Sequence, residues 1–219
     1  MKKFKAILFD CDGTVIDTTD LVIHAWQAMG RKLLGGALLE KSDVIKYFGR
    51  TLEEATILLA RERGITDYDL DYLHDVYWEY QNSHHEEIAG IYPGLKDVLK
   101  ELKARGIKLG IVTSGTSSGV LTELSEHDAE GIFDVVVGCE EVTKPKPDPE
   151  PVLMCCQKLG VDPGDALMVG DSRNDIASGN LAGCTTALVS WYECPMDNLK
   201  DYEKADFMLN KSEDLLGCV

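Results

Sequence analysis

The sequence lacks the features that would place the protein at a membrane or on a nucleic acid. None of its apolar runs approaches the roughly 18 residues that a membrane-spanning helix needs, and the first acid, Asp10, comes too early for a signal peptide. Positive charge is scarce, with 22 Lys and Arg against 38 Asp and Glu and a formal net charge of −16. Because nucleic-acid phosphates and anionic lipids attract positive protein surface, we expect a cytoplasmic protein with no nucleic-acid and no membrane partner.

The cysteine spacing typical of disulfide frameworks and zinc sites is also missing. The seven cysteines are an odd number and contain no C-x-x-C pair, so the sequence predicts neither a disulfide framework nor a zinc site. Free thiols that act as small apolar side chains in a reducing compartment are the expected state. We interpret Cys11, which stands between two aspartates, as one of these space-filling residues.

What the sequence does contain is a regular alternation of secondary-structure patterns. The 219 residues are 44% hydrophobic and 27% charged, which is typical of a globular protein with a sizeable core. A short apolar run at residues 6–9 predicts a buried first strand. From about residue 91 onward, helical patterns alternate with strand patterns, and this alternation indicates βαβ units around a parallel sheet.

A block of purely helical patterns follows the first strand. Nothing between Asp17 and about Gly90 resembles a buried strand. We therefore predict an α/β fold with a doubly wound, Rossmann-like parallel sheet core and an inserted all-helical cap domain. The core domain is assigned to residues 1–16 and 91–219, and the cap domain to residues 17–90.

Four of the predicted strands end in polar residues. In chain order these are Asp10 and Asp12, then Thr113 and Ser114, then Lys144 a few residues beyond its strand, then Asp171 and Asp175. Open parallel sheets bind ligands at the carboxyl ends of their strands, so we expect these side chains to converge. Carboxylate oxygens suit Mg²⁺, and a lysine with a hydroxyl can hold phosphoryl oxygens. One aspartate can then attack phosphorus while the other protonates the leaving oxygen.

The motifs around these residues carry a family resemblance. FDCDGTVIDT, IVTSG, KPKPDP and VGDSRND occur in this order along the chain. In this respect the sequence resembles the haloacid dehalogenase-like superfamily, in the branch with a helical cap after the first motif. The last two motifs are especially similar to those of phosphoglycolate phosphatases and their pyrophosphatase relatives.

The resemblance implies a role for each aspartate. Asp10 would be the nucleophile that forms an aspartyl phosphate, and Asp12 would be the general acid and base. A Mg²⁺ ion would be held by the Asp10 carboxylate, the Asp12 backbone carbonyl and Asp171. Asp175 would orient the motif lysine or metal-bound water.

The resemblance also implies how the phosphate is held. Thr113, with Ser114 beside it, would hydrogen-bond the phosphoryl group, and Lys144 would pair with that group and with Asp10. Lys146 stands two residues further on in the same KPKPDP motif and is the alternative, but we assign the role to Lys144.

The cap contributes one candidate residue. Arg50, in YFGRTLEE, stands at a loop-to-helix junction where relatives often direct a residue toward the substrate. A guanidinium there could hold a second anionic group on the substrate. The alternative is a surface arginine that pairs with Glu53 or Glu54.

The predicted function is that of a Mg²⁺-dependent phosphatase. It would hydrolyse a small phosphate ester, phosphoglycolate-like or related, through an aspartyl-phosphate intermediate, and its partner would be a small phosphorylated metabolite. A phosphomutase similar to β-phosphoglucomutase and a pyrophosphatase remain as alternatives. A signalling receiver domain, which also has a phosphorylatable aspartate on a doubly wound sheet, has no cap of about seventy residues and places that aspartate on a later strand.

Overall fold

The chain folds into two compact units. The computed structural model describes residues 4–48, 50–191 and 204–219. Residues 4–17, 90–191 and 204–219 form an α/β unit, and residues 18–89 form a helical unit. The chain passes from one unit to the other after Asp17 and again after Ala89. The boundaries that we drew on the sequence were after residue 16 and after residue 90.

The helical unit is built around aromatic side chains. Its elements are α1 (Thr19–Leu33), α2 (Lys41–Ile45), α3 (Leu52–Glu62), α4 (Leu70–Ser83) and a 3₁₀ turn (His85–Glu87). Trp26 of α1 lies with its ring centre 5.7 Å from that of Tyr47 and 6.2 Å from that of Tyr77. All three side chains are buried, so the large apolar surface of these rings holds the unit together.

Two local features of the helical unit differ from the simplest expectation. Thr18 is the N-cap of α1, but its side chain makes no capping hydrogen bond, although threonine is a favoured capping residue. Helix α2 has only 5 residues, which are too few to show a 3.6-residue period in the sequence.

The α/β unit has the predicted doubly wound sheet. Its strands are β1 (Ala6–Phe9), β2 (Lys108–Val112), β3 (Val135–Val137), β4 (Ala166–Gly170), β5 (Thr185–Val189) and β6 (Phe207–Leu209). The strand order is β3-β2-β1-β4-β5-β6, and all pairs are parallel. Helices α5 (Leu95–Ala104), α6 (Ser117–Glu126), α7 (Glu150–Leu159) and α8 (Arg173–Ala182) connect the strands. The fold class predicted from the sequence is thus confirmed.

The register of the central strands places their carboxyl ends together. Phe9 of β1 aligns with Ile111 of β2 on one side and with Val169 of β4 on the other. The backbone N–H of Asp10 then donates to the Val169 carbonyl at 2.9 Å. Because the strand order reverses beside β1, the edge next to Asp10 is where such sheets bind ligands. None of the helices in the described part of the chain is long and apolar enough to cross a membrane.

Candidate active site

A tight turn after β1 carries Asp10 and brings the chain close to Asp171. The Cys11 carbonyl accepts backbone hydrogen bonds from Val15 at 2.8 Å and from Ile16 at 2.9 Å. Gly13 has a φ of +74°, and a Cβ atom there would lie 2.6 Å from Asp171 Oδ2. Glycine adopts this φ freely and leaves room for the carboxylate, so it is the residue that lets the two strand ends meet.

A buried lysine joins two of the aspartates. Lys146 Nζ donates to Asp10 Oδ1 at 2.7 Å, to Asp175 Oδ1 at 2.7 Å and to the Val112 carbonyl at 2.9 Å. The Lys146 side chain is 3% exposed and that of Asp175 is 0% exposed. All three ammonium protons therefore have acceptors, and the carboxyl ends of β1, β2 and the segment after β4 are tied together.

The lysine that pairs with Asp10 is not the one we predicted. Lys144 has a side chain that is 72% exposed, and its Nζ pairs with Asp148 Oδ2 at 3.8 Å. Its backbone N–H donates to Glu150 Oε2, which fixes this part of the loop at the start of α7. The motif repeats Lys-Pro, so its letters fit both lysines equally well, and only the path of the loop selects Lys146.

The charges of this cluster perturb one another. Burial raises the pKa of Asp10 well above its ordinary value, the charges of Asp175 and Asp171 add to the rise, and Lys146 opposes it. Burial disfavours the Lys146 ammonium, but the two carboxylates outweigh that effect and raise its pKa. The lysine is therefore charged at neutral pH, while the carboxylates crowd one another and favour an additional cation.

Asp175 is held in place from its own helix. Its carboxylate Oδ2 accepts from the Ser172 backbone N–H at 3.0 Å and from the Ser172 hydroxyl at 2.5 Å. The Ser172 hydroxyl in turn accepts from the Asp175 backbone N–H, which completes a capping box at the start of α8. This geometry fits the orienting role that the resemblance implies for Asp175, with Lys146 as the group it orients.

The acidic residues fit a hard metal ion. Asp10, Asp171 and Asp175 each offer one carboxylate oxygen, and these oxygens lie within 4.8 Å of one another. An all-oxygen donor set of this kind is the set that Mg²⁺ prefers. Asp175 already has both oxygens bound to Lys146 and Ser172, so Asp10 and Asp171 are the carboxylates better suited to take up a cation. Asp12, three residues beyond the end of β1, has an exposed side chain.

The residues after β2 flank the cluster. Thr113 is buried, and its Oγ1 accepts from the Gly115 backbone N–H at 2.9 Å. Ser114 is exposed. The N-cap of α6 is Thr116 rather than either of these residues, and its side chain accepts from the Gly119 N–H. Thr113 and Ser114 are thus not occupied in capping the helix.

Arg50 is an exposed residue of the helical unit. Its backbone N–H donates to the Tyr47 carbonyl at 3.3 Å. No ion pair joins Arg50 to Glu53 or Glu54, all three of which the structure describes. Glu54 instead takes part in the capping box of α3 with Thr51, so the surface pairing that we held as the alternative for Arg50 is absent.

Three further residues lie near the site, and two of them carry no motif signal. Thr14 Oγ1 donates to Asp171 Oδ1 at 3.3 Å, and the Trp191 indole N–H donates to the Thr14 carbonyl at 3.1 Å. Glu123 of α6 is half-buried, and burial together with the charge of Asp12 raises its pKa to about 7. Glu123 and Trp191 lie outside the four motifs, so only the fold shows that they reach this edge of the sheet.

Cys11 behaves as a packing residue. Its side chain is fully buried between the two aspartates of the turn. Burial raises the pKa of the Cys11 thiol well above its ordinary value, and the nearby Asp12 adds to the rise. A protonated, inaccessible thiol is a poor nucleophile. The six cysteines of the described residues are free thiols, and Cys194 lies outside those residues.

Comparison with known proteins identifies the family. Residues 7–189 match the family of haloacid dehalogenase-like hydrolases. The pyrophosphatase PpaX of Bacillus velezensis is 37% identical over 215 residues, which cover 98% of this chain and 96% of that protein.

Solved structures agree in fold. A Lactobacillus plantarum protein provisionally assigned as a phosphoglycolate phosphatase has a TM-score of 0.72 at 25% identity and covers 99% of this chain and 100% of its own. A Thermotoga maritima protein provisionally assigned as a β-phosphoglucomutase has a TM-score of 0.71 at 25% identity, with 98% and 99% covered. The chain belongs to the haloacid dehalogenase-like hydrolase family.

Proposed function

We propose that the protein is a Mg²⁺-dependent phosphatase that hydrolyses a small phosphorylated metabolite in the cytoplasm through an aspartyl phosphate on Asp10. The observation that carries this proposal is the buried contact of Lys146 with Asp10 and Asp175 beside Asp171. Three carboxylates and one ammonium have a formal charge of −2 when all are ionised. A divalent cation would neutralise that charge and let an anionic phosphate approach.

In the first half of the reaction, an Asp10 carboxylate oxygen attacks phosphorus. Lys146 binds Oδ1 of Asp10, which fixes the plane of the carboxylate and leaves Oδ2 as the attacking atom. As the new O–P bond forms, the bond to the leaving oxygen breaks, and Asp12 gives that oxygen a proton. Asp12 then takes a proton from water, which attacks the aspartyl phosphate and releases phosphate.

The metal would be held by the Asp10 and Asp171 carboxylates and by the Asp12 backbone carbonyl. When bound, it supplies positive charge to the phosphoryl oxygens as negative charge accumulates there. Gly13 supports this assignment, because its missing side chain lets Asp171 reach the turn that carries Asp10 and Asp12.

The phosphoryl group would be held by Thr113 and Ser114. Lys146 would take the place that we predicted for Lys144, where its charge, and not a further N–H group, offsets the charge of the phosphoryl oxygens. The helical unit would act as the cap that selects the substrate, with Arg50 as the contact to a second anionic group. Its exposure supports this role, because an exposed guanidinium is accessible to a ligand.

Two substrates have specific support. The similarity to PpaX over nearly the whole chain favours inorganic pyrophosphate, and the wording of the last two motifs favours a phosphoglycolate-like monoester. Both carry a second anionic group for Arg50. A phosphomutase acting on a sugar phosphate would use the same aspartates, and the likeness to the Thermotoga maritima structure keeps it as the competing assignment.

Phosphate release tests the proposal. Pyrophosphate, phosphoglycolate, β-glucose 1-phosphate and p-nitrophenyl phosphate would be incubated with wild type and with Asp10→Asn, each with Mg²⁺ and with EDTA. We expect release by wild type with Mg²⁺ only, and a loss of roughly 10³-fold or more in Asp10→Asn. Activity of Asp10→Asn near the wild-type level would end the proposed mechanism, and isomerisation of the sugar phosphate without release would establish the mutase instead.

The same assay tests Arg50. Arg50→Ala should raise KM for pyrophosphate or phosphoglycolate more than for p-nitrophenyl phosphate, which has no second anionic group. An equal change in KM for all substrates would show that Arg50 does not bind the second anionic group.

A further inference from the structure

Trp191 connects the segment after β5 to the turn that carries the aspartates. It follows β5 by two residues, and its indole N–H donates to the Thr14 carbonyl at 3.1 Å. Its ring centre lies 6.1 Å from that of Tyr92, and Tyr92 is 4% exposed. The Tyr92 backbone N–H donates to the Val15 carbonyl at 3.1 Å. The indole is therefore seated against a buried ring that is itself bonded to the same turn.

Thr14 links the Trp191 indole to Asp171, the proposed metal ligand. The side chain of Thr14 is fully buried, and its hydroxyl donates to Asp171 Oδ1 at 3.3 Å. Thr14 is thus held at both ends, by the indole at its carbonyl and by Asp171 at its hydroxyl. A carboxylate whose partner is fixed in this way loses little further freedom when it takes up a cation.

We propose that Trp191 is a positioning residue for the metal site, acting through Thr14 on the Asp171 carboxylate. This inference rests on the proposed function only in taking Mg²⁺ as the cation. The hydrogen bonds order Asp171 before the metal arrives, so their loss weakens metal binding first and turnover only as a consequence.

The test is Mg²⁺ binding to the substrate-free protein, measured by titration calorimetry. Trp191→Phe keeps a ring against Tyr92 and removes only the N–H donor, while Trp78→Phe is the matched control, since Trp78 is 53% exposed on α4 of the helical unit. We expect Trp191→Phe to bind Mg²⁺ about 3- to 10-fold more weakly, the range that one hydrogen bond spans. Trp78→Phe should match wild type.

Two further measurements separate positioning from general damage. Thr14→Val removes the hydroxyl that reaches Asp171 and should weaken Mg²⁺ binding to a similar degree, whereas Thr14→Ser should retain it. In the double variant Thr14→Val/Trp191→Phe the loss should be smaller than the product of the single losses, because both act on one chain of contacts. Addition of Mg²⁺ should change the tryptophan fluorescence of wild type and of Trp78→Phe, and this change should be missing in Trp191→Phe.

The outcomes distinguish this inference from the proposed function. A Kd of Trp191→Phe within twofold of wild type would overturn the role of Trp191, even if the protein is a phosphatase. Weaker binding in Trp191→Phe by a protein that hydrolyses none of the substrates would support Trp191 and overturn the function. A wild-type protein that binds no Mg²⁺ would overturn both.

Discussion

Two lysines stand two residues apart in one loop, and their surroundings give them different roles. Lys146 is enclosed by Asp10, Asp175 and a backbone carbonyl, while Lys144 extends into solvent. A buried charge that loses its partner is costly, whereas an exposed ion pair contributes little. The same substitution at the two positions should therefore have very different effects.

Lys146→Met should lower the free energy of unfolding by about 3 to 5 kcal/mol, because two buried carboxylates would lose their shared counterion. Its phosphatase activity should fall at least about 100-fold, since Asp10 would lose the ammonium that binds it and the phosphoryl oxygens would lose a nearby positive charge. Lys144→Met should stay within about 0.5 kcal/mol of wild type and keep its activity. Urea unfolding and phosphate release measure both effects, and a strong loss in Lys144→Met alone would restore our original assignment.

Glu123 should make stability depend on pH. Its pKa is about 7 in the folded protein against an ordinary value of 4.5, so the folded state holds this proton more tightly than the unfolded state. Stability is then lost as pH rises from about 4.5 to about 7. Glu123→Gln cannot lose a proton and avoids this penalty.

At pH 8, Glu123→Gln should therefore have a melting temperature about 2 to 4 °C above that of wild type. This is the shift that about 1 kcal/mol of stability produces in a protein of this size. The free-energy difference stays near about 1 kcal/mol because the Glu123 side chain is partly solvated. At pH 5 the two proteins should melt together. Glu126→Gln, on the exposed face of the same helix, is the control. A constant difference between Glu123→Gln and wild type at both pH values would show that titration of Glu123 is not the cause.

At the residue scale, the positions of some site residues could be predicted from the sequence and those of others could not. Asp10 and Asp171 could be located because each directly follows a strand, where position along the chain determines position in space. Lys146 could not be distinguished from Lys144, because the loop between β3 and α7 has no regular period. Trp191 and Glu123 are brought to the site by tertiary structure alone.

At the scale of an element, the start of α8 combines two tasks. Ser172 caps the helix and also binds the carboxylate of Asp175, which holds Lys146. Thr51 makes the same kind of capping box at the start of α3, but Glu54 there contacts no lysine of the cluster. The two capping boxes are chemically similar, but only the one at the start of α8 includes a residue that binds Lys146.

Ser172→Ala and Thr51→Ala should each cost about 0.5 to 2 kcal/mol of stability, because each removes a cap hydrogen bond. Only Ser172→Ala should also lower kcat, since Asp175 would lose one of the contacts that orient Lys146. Thermal unfolding and steady-state kinetics on both variants test this difference. Equal kcat values in the two variants would mean that the cap of α8 serves the helix alone.

The helices and strands were more predictable than the details of their ends. Every strand pattern found in the sequence corresponds to a strand of the sheet, because buried parallel strands appear as short apolar runs that stop at polar residues. Thr18, at the start of α1, does not cap its helix through the side chain. Capping depends on the local backbone path, which hydrophobic periodicity does not encode.

At the scale of the whole molecule, Mg²⁺ should stabilise the fold, because the carboxylates that repel one another in the folded protein would share a cation. With the metal at 100 times its Kd, the free energy of unfolding should rise by about 2.7 kcal/mol, or about 5 to 10 °C in melting temperature. EDTA should reverse the shift, and Asp171→Asn should show little of it. An equal shift in Asp171→Asn would place the bound ion elsewhere in this acidic protein.

The strand order also has a consequence for synthesis on the ribosome. The first strand to be made, β1, lies at the centre of the sheet between β2 and β4, and its partner residue Val169 lies far along the chain from Phe9. At about 5 to 20 residues per second, translation needs roughly 8 to 30 s to cover that interval. Throughout this time β1 lacks β4, and it also lacks β2 until Lys108–Val112 have been made. The described residues of the helical unit, 18–89, have by then been synthesised.

Ribosome-bound chains halted near residue 130 should accordingly contain a protease-resistant helical unit and a cleavable β1. Chains halted well beyond β6 should protect both. Protection of β1 in the shorter chains would show that the strand is covered before its partners are made. A strand that is fully buried in the folded protein is thus the first strand that a chaperone bound to nascent chains would contact.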